Sequence, residues 1–125
     1  MRKLDEIFEL LDGIVPANAE KTILFCEVEK TAYEIFYYSY YVDGKVKHSS
    51  EIIDSGELDS VVVEKRYDKI AEHIRKSESY DPECRNVITI VVERTSEIVH
   101  ADKYEKSVGL YQIEKEWKKK YCTSE

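Results

Sequence analysis

The sequence has few residues that break or bend a chain, with 4 glycines and 2 prolines among 125 residues. It also lacks any apolar run near the roughly 18 residues that a membrane-spanning helix requires. Acidic residues follow the basic N-terminal pair at once, which is not the pattern of a secretory signal peptide. With 42% hydrophobic and 36% charged residues, the chain is predicted to form a single domain over residues 1–125. We expect this domain to stay in the cytoplasm.

Cysteine is also scarce, and its spacing argues against two kinds of site. Cys26, Cys84 and Cys122 lie far apart, form no CxxC pair and are odd in number. The 3 histidines have no metal-ligand spacing relative to them. The pattern predicts free, mostly buried thiols, with no metal site and no disulfide framework.

No catalytic motif is present. The sequence contains no GxSxG, no HExxH and no glycine-rich phosphate loop. Its 26 acidic residues make chance carboxylate pairs inevitable, and His73 is predicted to lie at the surface or boundary of a helix. The sequence therefore predicts neither an enzyme nor a cofactor, although a small enzyme with a dispersed site stays as an alternative.

The negative charge of the chain is concentrated in one half. Residues 1–60 contain 13 acids and 6 bases, a balance of −7, whereas residues 61–125 contain 13 of each, a balance of zero. Such a field attracts a basic partner and disfavours anionic membranes and direct binding of nucleic acid. The alternative is that the acidity serves solubility alone.

Three segments have the periodicity of amphipathic helices. Their apolar positions are Leu4, Ile7, Phe8 and Leu11; then Val63, Tyr67, Ile70 and Ile74; and finally Ile113, Trp117 and Tyr121. The second segment predicts a helix over 61–77, with Asp59 or Ser60 as its N-cap. The third is preceded by Gly109, which interrupts any upstream helix.

Five segments have the composition of β-strands: 22–29, 33–42, a segment from Val46 towards Ile53, 87–93 and 97–104. Turns are predicted at Lys30-Thr31 and at Asp43-Gly44, the latter favoured in type I′ hairpins. The sequence thus predicts an α+β fold, in the order α-β-β-β-α-β-β-α. An antiparallel sheet of about five strands would carry the helices on its core side.

Half of the 10 tyrosines lie within residues 33–41. If the first hairpin closes about Lys30-Thr31, paired positions sum to 61. One face then holds Leu24, Cys26, Val28, Tyr33, Ile35 and Tyr37, and the other holds Phe25, Glu27, Glu34, Phe36, Tyr38 and Tyr40. The first set is the better core, so the second predicts an aromatic surface beside carboxylates.

Tyrosine suits protein recognition because it buries a large ring while its hydroxyl still reaches water. The predicted partner-binding residues are Glu27, Glu29, Glu34, Phe36, Tyr38, Tyr40 and Asp43. One alternative is that these tyrosines simply pack within the sheet. Another is that they stack single-stranded bases, which the neighbouring carboxylates disfavour.

Several short strings resemble the YezG-like immunity-protein family. They are ILFCEVE at 23–29, EIFYY at 34–38, VITIVVE at 87–93, HADKY at 100–104 and WKKKY at 117–121. The order of helix, meander, helix, hairpin and aromatic tail covers nearly the whole chain. It departs from the family in the valine-rich start of the second helix and in residues 107–112.

The resemblance implies an antitoxin that binds the C-terminal domain of a cognate bacterial toxin, in many cases a nuclease. It implies no active site. A basic nuclease would fit the acidic N-terminal half, because opposite charges steer association. The alternative function is a module that binds a small ligand or single-stranded nucleic acid through its tyrosine-rich sheet.

Overall fold

A five-stranded antiparallel sheet lies at the centre of the structure, a computed structural model that describes residues 10–11, 14–93 and 97–122. The strands are β1 (Lys21–Val28), β2 (Tyr33–Tyr40), β3 (Val46–His48), β4 (Arg85–Glu93) and β5 (Glu97–Tyr104). Their order across the sheet is β3-β2-β1-β4-β5, so β1 and β4 join the two hairpins side by side. The predicted α+β class and its antiparallel sheet are confirmed.

Three helices are described: α1 (Ser49–Asp54), α2 (Ser60–Arg75) and α3 (Leu110–Tyr121). The predicted second and C-terminal helices correspond to α2 and α3. Asp59 is the N-cap of α2, where its side chain accepts hydrogen bonds from two backbone amides of the first turn. Within the described part of the chain, no helix combines the length and apolar character needed to cross a membrane.

The predicted N-terminal helix falls almost entirely outside the described residues, which exclude Leu4, Ile7 and Phe8. Leu11, the last apolar position of that pattern, is described, as is Ile14, which follows the segment. Leu11 and Ile14 are both buried in the hydrophobic core beneath α2. This end of the chain therefore contributes to the core through its apolar side chains.

The first hairpin has the predicted register. Paired residues run from Lys21 opposite Tyr40 to Val28 opposite Tyr33, and every pair sums to 61. The tight turn at Lys30-Thr31 is closed by the Glu29 amide, which donates to the Ala32 carbonyl at 2.9 Å. Because side chains alternate along a strand, this register fixes the two faces as predicted.

The third strand is shorter than predicted. It ends at His48 instead of continuing towards Ile53, and α1 begins at the next residue. His48 and Glu51 form a capping box, in which the His48 amide donates to Glu51 Oε1 at 2.8 Å and the Ser50 amide to His48 Nδ1 at 3.1 Å. These bonds satisfy amides at the start of the helix. The change from strand to helix places Ile52 in the core, where it is buried.

The turn between β2 and β3 also differs from the predicted type I′ hairpin. That type needs a positive φ at both central residues, but Gly44 (φ +88°) and Gly56 alone have one among the described residues. The Gly44 amide donates to the Tyr41 carbonyl, and the Tyr41 amide donates to the Lys45 carbonyl. This pattern fits a three-residue loop in which Gly44 takes the left-handed conformation.

Helices cover both faces of the sheet, whereas the sequence predicts them on one side only. On the inner face, α1 and α2 pack against Leu24, Cys26 and Val28 of β1. On the outer face, Ile113 and Trp117 of α3 pack against Ile23 and Phe25. Both faces of β1 are apolar, so a single helical layer would leave one of them exposed to water.

Ile90, in the middle of β4, is fully buried in the inner core. Ile90→Ala should lower the free energy of unfolding by about 2–5 kcal/mol, because it removes buried carbon atoms and leaves a cavity. Urea denaturation measures this. Val42→Ala, at an exposed position in the loop after β2, should change stability by less than about 0.5 kcal/mol. Equal effects of the two substitutions would contradict the placement of β4.

Candidate functional site

An aromatic cluster lies on the outer face where β2 passes under α3. The rings of Phe25 and Phe36 stack with centroids 4.8 Å apart, and the Trp117 ring meets Phe25 edge-on at 5.1 Å. Tyr38 lies 6.4 Å from Trp117. The Trp117 indole N–H donates to Thr89 Oγ1 at 2.8 Å, which fixes the orientation of the ring.

A groove with a volume of about 270 Å³ opens between β2 and α3, and we call it the outer groove. It is lined by Phe36, Tyr38, Tyr111, Glu114, Lys115, Trp117 and Lys118. Tyr111 stands at its rim with 79% of its surface exposed. Lys118 Nζ lies 5.2 Å from the centre of the Tyr38 ring, within the range of a cation–π contact.

The position of α3 follows from its sequence. Ile113 and Trp117, four residues apart, form the buried stripe that anchors the helix to the sheet. Tyr111 and Lys118 flank that stripe and so face the outer groove. Basic residues fill the last turn of α3, where the negative end of the helix dipole favours them.

Three of the predicted partner-binding residues lie together. Phe36 and Tyr38 line the outer groove, and the exposed Glu34 precedes them on the same face of β2. Glu34 also lies close enough to Glu114 to help raise the pKa of the Glu114 carboxyl, although burial is the larger cause. These residues give the groove aromatic walls and an acidic end.

The other predicted residues do not join this patch. Tyr40 lies at the far end of β2, with Lys21 Nζ 5.0 Å from its ring centre. Asp43 lies in the exposed loop beyond it, 3.9 Å from Lys45 Nζ. The seven residues predicted to bind a partner therefore do not form one continuous surface.

The prediction that Glu27 lies at the surface is wrong, because only 2% of it is exposed. The pairing of β1 with β4 places Glu27 inside the sheet, next to Arg85. Arg85 Nη1 lies 3.5 Å from a Glu27 carboxylate oxygen and 3.1 Å from one of Glu29. Glu29, also predicted to bind a partner, is therefore half-buried in an ion pair.

The environment of Glu27 changes its protonation. Burial and the neighbouring carboxylate of Glu29 raise the pKa of Glu27 to about 7, against the opposing effect of Arg85. Glu27 Oε2 has no hydrogen-bond partner among the described residues. A carboxylate here is costly at neutral pH because the site supplies one guanidinium for two acids.

A second groove, which we call the edge groove, has a volume of about 480 Å³ and lies between β2 and the start of α2. It is lined by Tyr33, Glu34, Ile35, Ile53, Ser60, Val61, Val63, Glu64 and Tyr67. Among these described residues there are two carboxylates and no lysine or arginine. The Tyr33 hydroxyl donates to Asp68, which ties β2 to α2.

Tyr111, Lys118 and Val61 are not among the site residues predicted from the sequence. One signal was available in the valine-rich start of α2, where Val61 and Val62 remain 57% and 40% exposed. Exposed β-branched residues at a helix start have no packing role to explain them. The positions of Tyr111 and Lys118 depend on where α3 docks, which local periodicity does not reveal.

His73 and His48 occupy structural positions, whereas His100 on β5 is exposed, with its ring 5.3 Å from that of Tyr121. His73, predicted at a helix surface or boundary, is buried. His48 caps α1, and burial lowers the pKa of its imidazole. No group of three or more His, Cys, Asp or Glu is arranged to hold a metal ion within the described ranges. The described surface thus offers aromatic rings, carboxylates and lysines for recognition.

The raised pKa of Glu27 gives a pH dependence of stability. The folded state holds this proton more tightly than the unfolded chain, so the stabilisation is complete below about pH 4.5 and is lost as pH rises through about 7. Between pH 5 and 8, the free energy of unfolding of the parent should therefore fall by up to roughly 3 kcal/mol because of Glu27, and Glu27→Gln should abolish this fall. Urea denaturation across that range measures the difference. As a control, Glu83→Gln, at an exposed carboxylate, should leave the pH dependence of stability as in the parent. If Glu27→Gln also left it unchanged, the raised pKa of Glu27 would be contradicted.

No protein-family model matches this chain, and no curated protein matches it.

Proposed function

We propose that this chain is a YezG-like immunity protein that binds a cognate toxin domain, a basic nuclease, in the cytoplasm and so neutralises it. The observation that carries the proposal is the outer groove, where Phe36, Tyr38 and Trp117 meet the exposed Tyr111. The strings that resemble the family include β1, part of β2 and the end of α3. This resemblance of the sequence to the family also supports the proposal.

The aromatic content of the outer groove supports a protein partner. Tyrosine and tryptophan are enriched at the centres of protein interfaces, since they bury much area while losing few rotatable bonds. Tyr111 is free to insert between partner side chains, whereas Trp117 is fixed by its hydrogen bond to Thr89. An exposed tyrosine beside a tryptophan of fixed orientation is a favourable arrangement for binding.

Charge supports the choice of a basic partner. The chain has a net charge of −7, and the exposed Glu34 lies beside the outer groove. Nucleases contact phosphates with basic residues, so their active-site surfaces are attracted to an acidic inhibitor. Such attraction mainly speeds association and weakens as salt rises.

The alternative, binding of a small anionic ligand or single-stranded nucleic acid, is supported by one specific observation. Lys115 and Lys118 line the outer groove beside the rings of Tyr38 and Trp117. Stacked aromatic rings with neighbouring lysines can hold bases and phosphates. Glu34 and Glu114 lie at the same groove and oppose an anionic ligand, which is why a protein partner is the stronger proposal.

The proposal predicts that the gene directly upstream encodes a large secreted protein, and the test uses the C-terminal domain of that protein as the candidate toxin. Tyr111→Ala should weaken its binding by about 2 kcal/mol, or roughly thirtyfold, mainly through faster dissociation. Glu34→Lys should mainly slow association, with a smaller effect at higher salt. Surface plasmon resonance at two salt concentrations separates the two rate constants, and co-expression in growing cells reports neutralisation.

Two matched substitutions serve as controls. Val42→Ala removes an exposed apolar side chain outside the groove, and Glu97→Lys makes the same charge change on β5, at the opposite edge of the sheet. Both should bind like the parent. Absence of binding by the parent would refute the proposal, and quenching of Trp117 fluorescence by an oligothymidine would favour the alternative.

A further inference from the structure

The outer edge of β2 is only partly paired. β3 contacts β2 from Tyr38 to Tyr40 and then ends, because the capping box at His48 turns the chain into α1. On the side away from β1, the preceding half of the strand, Tyr33–Tyr37, has no strand beside it in the described part of the chain. We call this segment the open edge.

The backbone groups of the open edge have a defined direction. The Tyr37 amide donates to Ser49 Oγ, and the Tyr41 amide donates to the Lys45 carbonyl, so both face away from β1. Alternate residues of an antiparallel strand direct their N–H and C=O groups the same way. The amides and carbonyls of Tyr33 and Ile35 therefore also point outwards, and no described residue of another strand pairs with them.

A groove flanks the open edge on each side of the sheet. The edge groove lies on the inner side, with Ile35 and Val61 in its walls, and the outer groove lies on the other side, with Phe36 and Tyr38. A strand added at this edge would direct successive side chains to alternate faces. It would thus place every second side chain towards one groove and the others towards the opposite groove.

We propose that the open edge of β2 binds an extended basic segment of a partner protein as a sixth strand of the sheet. Main-chain hydrogen bonds would supply affinity, and the two grooves would select the side chains. Both sides favour lysine or arginine in the segment, because Glu64 lines the edge groove with no lysine or arginine among the described lining residues, and Glu34 lies near Glu114 of the outer groove. That the partner is a toxin domain rests on the proposed function.

The opposite edge of the sheet is less suited to this role. β5 pairs with β4 along its whole length, and its other edge is the edge of the sheet. The strand carries the charged residues Glu97, Asp102 and Lys103. Proteins use charged residues to prevent the pairing of exposed edges with other chains. The open edge of β2 instead combines tyrosine, isoleucine and phenylalanine with a groove of about 480 Å³.

The test probes the edge with an acetylated, amidated seven-residue peptide of alternating lysine and valine. In the free, isotopically labelled protein, the amides of Tyr33 and Ile35 should exchange rapidly with deuterium, whereas those of Glu34 and Phe36, which face β1, should exchange slowly. Millimolar peptide should slow exchange at Tyr33 and Ile35 and shift the resonances of the open edge. The same peptide with glutamate in place of lysine should bind at least tenfold more weakly.

Two adjacent valines provide a matched pair of variants. Val61→Lys places a positive charge in the edge groove and should weaken binding of the lysine peptide about tenfold. Val62→Lys makes the same change one residue along α2, where the side chain lines a different groove with Lys65 and Lys69. It should bind the peptide like the parent, and the thermal stability of both variants checks their folding.

In the peptide experiment, the proposal is overturned by no binding at millimolar peptide, by resonance shifts confined to β5 or to α3, or by equal effects of Val61→Lys and Val62→Lys. Protection of the Tyr33 and Ile35 amides that rises with protein concentration would show that a second copy of the chain occupies the edge instead. Failure of the proposed function gives a different result, since the peptide would bind while the upstream toxin domain would not. If Val61→Lys left toxin binding unchanged, the edge proposal would be contradicted while the proposed function would stand.

Discussion

The central strand β1 has a neighbour on each edge and helices on each face, and seven of its eight residues are buried. This enclosure requires a partner for every polar side chain that the strand carries. Thr22 meets the hydroxyl of Ser39 at 2.9 Å, and Glu27 meets Arg85. The first pair is neutral and satisfied, whereas the second leaves a carboxylate short of partners. The cost of burying β1 is therefore concentrated at Glu27.

The enclosure of β1 also determines where surface remains for binding. Because β1 is the middle strand, β2 lies one strand from the edge, and the short β3 beside it covers only part of it. Trp117 packs edge-on against Phe25 and lies 6.4 Å from Tyr38, which stays partly exposed, so α3 and β2 border a groove instead of a sealed core. The two candidate grooves both follow from incomplete coverage of β2.

Local sequence predicted much of the first hairpin and most of the helices. The turn at Lys30-Thr31 determined the register, because two short strands joined by a tight turn have little freedom to slip. The early end of β3 was missed, although its cause is local. Histidine is an unusual N-cap, so the capping box of His48 and Glu51 was not recognised, and the apolar Ile52 and Ile53 were assigned to a strand.

The sequence by itself determined the α+β class, the alternation of faces on β1 and β2, and the acidic character of the N-terminal half. Only the tertiary structure decided that β4 pairs with β1, that α3 covers the outer face and that Glu27 is buried while Tyr111 is exposed. The physical reason is the separation of these contacts along the chain. Periodicity and turn residues report on neighbours a few positions away. The strands β1 and β4 are separated in the chain by α1 and α2. They pair because the pairing buries the apolar side chains of both strands.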